Sequence, residues 1–297
     1  MARVLVVLTL VCLLMPEPAS ALTVTDQTGR RVVLPGLPAR IVSLVPSVTE
    51  TVFTIGAQDR IVGVTDFCDY PPAARQKPSV GGMVSPSLEG IVALKPDLVV
   101  ATTAGNRHET FDQLAHLKIP VYLVNPVSVN DVLDLVVRLG RLTDRPEAAD
   151  RVAALLRERI QAVSARVGGR PRPRVLYVLW PDPLIVPARG ALVSELIALA
   201  GGDSVTADGG QGYPRYSMEA ALARNPEIIL IASHDATQSA LVRSKWERFT
   251  QVPAVRAGRL HVVDGNLMHR YGPRIVDGLE ALGRLIHPEA FDKAAAR

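Results

Sequence analysis

The sequence predicts an α/β protein of two lobes. Each lobe should hold a central, mostly parallel sheet flanked by helices, and a single long α-helix should bridge them. Three observations lead there. Short apolar runs alternate with helical patterns along both halves, the arrangement that produces parallel sheets covered on both faces. One helix-to-strand segment recurs in each half. Between the halves lies an uninterrupted helical pattern that belongs to neither. At 297 residues and about 150 residues per domain, the length suits two units. The chain is 48% hydrophobic and 21% charged, enough to bury a core.

The first 21 residues read as an address. Arg3 is a short positive region, and Val4 to Met15 is an apolar run too short to span a bilayer. Pro16 and Pro18 break that run, and Ala19-Ser20-Ala21 offers a small-x-small cleavage site. Export with a mature start near Leu22 is expected. Cys12 lacks the small residues that precede a lipid-attachment site, so lipid anchoring is the lesser alternative. Cleavage leaves Cys68 as the one thiol, read as a half-buried small side chain.

The first lobe is expected over 22–143. Residues 40–44 read as a buried strand, followed by a helix over 47–55 with Ser47 as cap, Glu50 completing a capping box and Gly56 as stop. Strands follow at 60–64, 97–101 and 121–124, with a short helix at 88–94. The bridging helix is expected within 144–169. Ala149, Val152, Ala153, Leu156, Ile160 and Val163 recur at steps of three or four, so one face is apolar. Asp144 is the expected N-cap, Pro146 lies near the first turn, and Gly168-Gly169 ends the helix. At 1.5 Å per residue, about 22 residues make a rod of roughly 33 Å. The second lobe, 170–297, has strands at 174–179, 228–232 and 260–263.

The recurring segment can be aligned by eye. Ser87, Glu89, Ala93 and Pro96 in 87–98 match Ser217, Glu219, Ala223 and Pro226 in 217–228 at identical offsets. Each copy is a serine-capped helix stopped by proline and leading into an apolar strand. Helix-proline-acid-strand is also a common connection, so chance likeness is the minor alternative to two lobes of like architecture.

Composition excludes several functions. Lys plus Arg is 33 and Asp plus Glu is 29, a charge of +4 spread along the chain without a basic block. With only 4% aromatic residues, no nucleic-acid surface is expected. No G-x-S-x-G, Walker A or strand-linked G-x-G-x-x-G occurs, and no acidic pair suggests acid-base chemistry. An exported enzyme on a similar two-lobed framework remains the rival class. The histidines are 108, 116, 234, 261, 269 and 287, without metal-site spacing. His108 and His269 are the only weak candidates for an axial metal ligand, and a solvated loop histidine is the plainer reading of each.

Four segments together resemble a known family. They are the run from Arg40 to Glu50, Asp69-Tyr70-Pro71-Pro72, Leu88 to Ala101, and Arg270-Tyr271-Gly272-Pro273-Arg274. The chain resembles the class III, helical-backbone periplasmic solute-binding proteins of ABC importers, which carry vitamin B12, ferric siderophores and haem. The likeness covers about 38–290 and is greatest to the vitamin B12-binding branch. It implies a non-enzymatic, monomeric carrier with no cofactor of its own, a corrinoid or other metal chelate as ligand, and an ABC permease with its ATPase as partner. It further implies that Tyr70, Trp180, Tyr213, Asn266 and Arg270 line the ligand cleft, and that Glu89 and Glu219 dock onto the permease. Asn266 replaces that branch's aspartate, and Met83 and Thr102 replace tryptophans. These departures leave a less aromatic cleft, which would suit cobinamide.

Overall fold

In the computed structural model the described residues are 21–234 and 236–291. Cys12 and the rest of the expected leader up to residue 20 lie outside them.

The chain opens with a hairpin that the sequence reading did not anticipate, β1 (Leu22–Thr25) against β2 (Arg31–Leu34). The first sheet follows. Strand β3 (Ile41–Ser43) runs into α1 (Pro46–Thr54), then β4 (Ile61–Val64), α2 (Leu88–Ala93), β5 (Leu98–Thr102), α3 (His108–His116), β6 (Val121–Val124) and α4 (Val129–Leu142). Its order is β4-β3-β5-β6, every pair parallel. Helix α5 (Pro146–Val167) comes next, 22 residues long as expected.

The second half contains β7 (Arg174–Val178), the short hairpin β8 (Trp180–Pro181) with β9 (Leu184–Ile185), α6 (Leu192–Leu199), β10 (Asp203–Ser204), α7 (Met218–Ala223) and β11 (Ile228–Ser233). Then come α8 (Ala236–Glu247), α9 (Pro253–Arg256), β12 (Leu260–Asp264), α10 (Gly265–His269), α11 (Ile275–Ile286) and α12 (Pro288–Phe291). The second sheet runs β10-β7-β11-β12, again all parallel. Numbered among its own strands alone, each four-stranded sheet has the order 2-1-3-4.

The recurring segment is a repeat in atomic detail. Ser87 accepts from the Gly90 amide at 3.0 Å and Ser217 from the Ala220 amide at 3.2 Å, so both hydroxyls cap their helices. Lys95 and Asn225, at the same offset, are both left-handed, with φ of 46° and 50°. Asp97 then accepts from the Arg40 amide, and Glu227 from the Arg174 amide at 2.9 Å. Arg40 Nε donates back to the Lys95 carbonyl at 3.1 Å, and Arg174 Nε to that of Asn225 at 2.9 Å. The third strand of each sheet is thus clamped to the first by the same acid-arginine exchange.

Two expected caps are corrected. Helix α1 begins at Pro46 after Val45, with no side-chain cap. Proline's fixed φ suits the first helical position, so the helix starts at Pro46, Ser47 is already helical, and the Glu50 carboxylate bonds elsewhere. Helix α5 is flanked by Arg145, not capped by Asp144. Asp144 instead takes a left-handed φ of 58°, which turns α4 into α5. Cys68 is fully buried beside the Thr65 hydroxyl, deeper than expected.

Helix α5 lies against both halves. Gly140 of α4 lets it approach so closely that a Cβ there would stand 2.2 Å from the Ala149 Cβ. On the other side Arg159 pairs with Asp277 at 2.6 Å and Glu280 at 2.9 Å, both on α11. One buried apolar cluster runs through Val48 of α1, Val136 of α4, Leu156 of α5, Leu196 of α6 and Leu279 of α11. The halves therefore share a core, and their relative placement is fixed by packing rather than by a tether. Among the described residues no helix is long and apolar enough to cross a membrane.

Candidate ligand-binding cleft

Parallel sheets place their functional loops at the carboxyl ends of the strands. In the first half those loops are 44–47 after β3, 102–106 after β5 and 124–126 after β6. Val45, Pro46, Ser47, Thr102, Ala104, Val124, Asn125 and Pro126 line one side of a cavity of about 210 Å³, together with Met83. His269, Arg270 and Tyr271 close it from the second half. The cavity therefore lies between the lobes.

Side-chain amides shape the first wall. Asn106 accepts from the Thr102 amide at 2.7 Å and donates to the Met83 carbonyl at 2.7 Å, pinning two lining residues together. Gln27, from the β1–β2 turn, accepts from the Asn125 amide at 3.1 Å and donates to the Asp131 carbonyl at 3.0 Å. Each amide spends both its donor and its acceptor, which matters most for the buried Asn106, where leaving either unmade is costly.

The second wall rests on β7. Tyr177 is fully buried, and its hydroxyl is 2.9 Å from His269 Nε2. The His234 ring stands edge-on to His269 with centroids 5.7 Å apart. Burial, helped by His234, pushes the His269 pKa down to about 4. His269 is therefore neutral near pH 7. The Tyr213 and Tyr271 hydroxyls are hydrogen-bonded to each other, and burial raises both phenols above their ordinary range.

Charged contacts cross the cleft. Arg270 pairs with Asp69, and that hydrogen bond holds the Asp69 carboxyl below its ordinary value. Glu50, only 2% exposed, accepts from the Arg274 amide at 2.9 Å and from Arg274 Nε at 2.8 Å. The Arg274 guanidinium also lies over the Tyr70 ring, 3.6 Å from its centroid.

The residues expected at the site are placed unevenly. Arg270 lines the cavity, and Tyr213 reaches it through Tyr271. Tyr70 is 40% exposed beneath Arg274, beside the Asp69–Arg270 pair. Trp180 is 53% exposed on β8 and lines a separate cavity of about 310 Å³ with His234 and Ile185. Asn266 folds back onto Asp264 at 3.0 Å, the cap of α10, and does not line the cavity. Met83 and Thr102 do line it, so those substitutions act on the cleft itself. His108 is exposed on α3, edge-on to Phe111, away from the cavity. No group of three or more histidine, cysteine or acidic side chains is arranged for a metal among the described residues. Glu89 and Glu219 are both exposed in the first turns of their repeat helices, and the Glu219 carboxylate accepts from Ser217 at 2.6 Å.

The sequence reading missed Asp69, Asn106, Tyr271 and Arg274 as parts of the site, and read Glu50 only as a capping acid. Asp69, Tyr271 and Arg274 lie inside the two loops already singled out. Asn106 gave no signal.

Two parallel-sheet lobes, a shared core, a long bridging helix and a cavity between the lobes define a two-lobed solute-binding protein. The chain belongs to the periplasmic binding protein family, which it matches over residues 41–267. It is similar to the vitamin B12-binding protein of Salmonella typhimurium, 31% identical over 237 residues, covering 80% of this chain and 86% of that protein. Among solved structures, the periplasmic vitamin B12 binding protein of Vibrio cholerae superposes with a TM-score of 0.75 at 28% identity, covering 86% of this chain and 99% of that one. A periplasmic heme binding protein from Pseudomonas aeruginosa superposes equally, with a TM-score of 0.75 at 28% identity, covering 85% and 94%. These similar proteins are binding proteins.

Proposed function

We propose that this chain is the substrate-binding component of an ABC importer and carries a corrinoid of the cobalamin or cobinamide type. It acts outside the cytoplasmic membrane after export, as a monomer and without catalysis. The two gripping lobes are 22–143 and 170–297, joined by 144–169; residues 235 and 292–297 of the second lie outside the described residues. The observation that carries the reading is the inter-lobe cavity walled by Arg270, Tyr271 and the loops after β3, β5 and β6. Likeness to vitamin B12-binding proteins along most of the chain supports the ligand class.

Drug-sized ligands occupy about 300–1,000 Å³, more than this cavity of about 210 Å³ offers. Entry of a macrocycle therefore requires the cleft to widen, and parting of the Asp69–Arg270 contact would free the guanidinium, which lines the cavity, for ligand amide or phosphate oxygens. Tyr70, which carries the Arg274 guanidinium on one face of its ring, is a flat contact beside that pair. Trp180 and Asn266 would reach the ligand only at its edge. Glu89 and Glu219, one per repeat, form a two-point electrostatic key for a basic permease surface.

Haem is the second reading, favoured by the equal superposition on a heme-binding protein. The absorbance spectrum of the protein as isolated comes first, since all the candidate ligands are coloured. Calorimetric titration with cobalamin, cobinamide, haem and ferric siderophores then separates them. Tight cobinamide or cobalamin binding without turnover is expected. Tight binding of haem or a siderophore with none of a corrinoid would overturn the ligand assignment, and chemical conversion of the ligand would overturn the carrier role.

A further inference from the structure

Tyr271 lies in the loop 270–274, which is tied to the opposite lobe at both ends. Arg270 pairs with Asp69, and Arg274 with Glu50. Gly272 approaches so closely that a Cβ there would stand 3.1 Å from Glu50 Oε1 and 3.3 Å from the Ser47 Cα. Between these anchors Tyr271 takes a left-handed φ of 39°. Bulky residues avoid that region, and they remain there only where the surroundings over-determine the backbone. The consequence is that the ring forms part of the cavity wall next to His269 and Arg270.

The hydroxyl chemistry narrows what this wall can recognise. Tyr213 and Tyr271 are bonded to each other, so of their two O–H protons one is spent inside the pair and one is left to donate. Burial keeps both phenols protonated. A protonated pair is a poor ligand for a metal centre and a good donor to a carbonyl or carboxylate.

We propose that Tyr271 is a specificity-determining contact of the cleft. Its ring walls in a flat macrocycle, and the hydroxyl pair it forms with Tyr213 meets an acceptor on the ligand's edge, not its metal. This rests on the carrier reading above and deepens it. The ring makes up, from the second lobe, for aromatic area that Met83 and Thr102 do not supply from the first.

The test is titration of the wild type, Tyr271→Gly and Tyr271→Phe with dicyanocobinamide, cyanocobalamin and hemin, with circular dichroism to follow folding. Glycine suits the left-handed backbone and removes the ring; phenylalanine removes only the hydroxyl. Loss of the ring is expected to weaken binding of the preferred probe about tenfold or more, the scale of an aromatic contact of somewhat over 1 kcal/mol. Loss of the hydroxyl alone is expected to weaken it several-fold, with the metal absorption bands of the bound ligand unchanged. Both variants within twofold of wild type would overturn the contact. A full effect of glycine with none of phenylalanine would overturn the hydroxyl's part, and a change in the metal bands with phenylalanine would show ligation instead. A wild type that binds none of the three probes would sink the ligand class on which the inference rests.

Discussion

Removing the Glu50 carboxylate should loosen the grip between the lobes more than any other single charge. Glu50 is 2% exposed and its two oxygens serve the Arg274 amide at 2.9 Å and Nε at 2.8 Å, across 224 residues of sequence. The Arg274 side chain is itself 19% exposed. Glu50→Ala would leave a guanidinium mostly buried without its counter-charge, a loss of about 3–5 kcal/mol. At about 2–4 °C per kcal/mol for a chain of this size, the melting temperature should fall by roughly 6–20 °C. Urea denaturation with linear extrapolation gives the free energy directly. Added salt should barely change the difference, because a buried pair is little screened. The double variant Glu50→Met with Arg274→Met should recover much of the loss, since apolar replacement of a whole buried pair is often near neutral. A loss below about 1 kcal/mol, the range of an exposed pair, would refute the reasoning. So would a double variant as unstable as the sum of the two single ones.

Three further outcomes are expected. The folded-state pKa of Asp69 is depressed by Arg270, so its contribution is present above the unfolded value and is lost as pH falls below about 4. Melting temperatures of wild type and Asp69→Asn should therefore differ at pH 6 and converge toward pH 3; a constant gap would contradict this. Gly140→Ala drives a Cβ to 2.2 Å from the Ala149 Cβ and should cost about 1–3 kcal/mol by urea denaturation, as overpacking does; an unchanged midpoint would mean α4 and α5 are not so close. Glu89→Arg with Glu219→Arg should abolish uptake in whole cells while leaving the dissociation constant in solution unchanged; a large loss of affinity would place these residues in the cleft instead.

The sequence by itself determined the scaffold. Apolar runs made β3 to β6 and β7, β11 and β12 legible, and the spacing of Ala149, Val152, Ala153, Leu156, Ile160 and Val163 made α5 legible. Such signals are complete within one or two turns of chain, because side-chain periodicity and serine caps act locally. The matched segments at Ser87 and Ser217 revealed the repeat for the same reason. Tertiary structure alone decided what the loops do. Glu50 reads locally as a helix-capping acid, but the helix starts at Pro46, ahead of the expected Ser47 cap, and Arg274 claims the carboxylate. Asp69, Asn106 and Tyr271 gain their roles only when strands distant in sequence deliver their ends to one gap. Trp180 and Asn266 lie in the right half of the chain, yet a hairpin turns one outward and the α10 cap holds the other back. Contacts between residues more than 200 positions apart are set by how the two sheets pack around α5, and no local pattern encodes that packing.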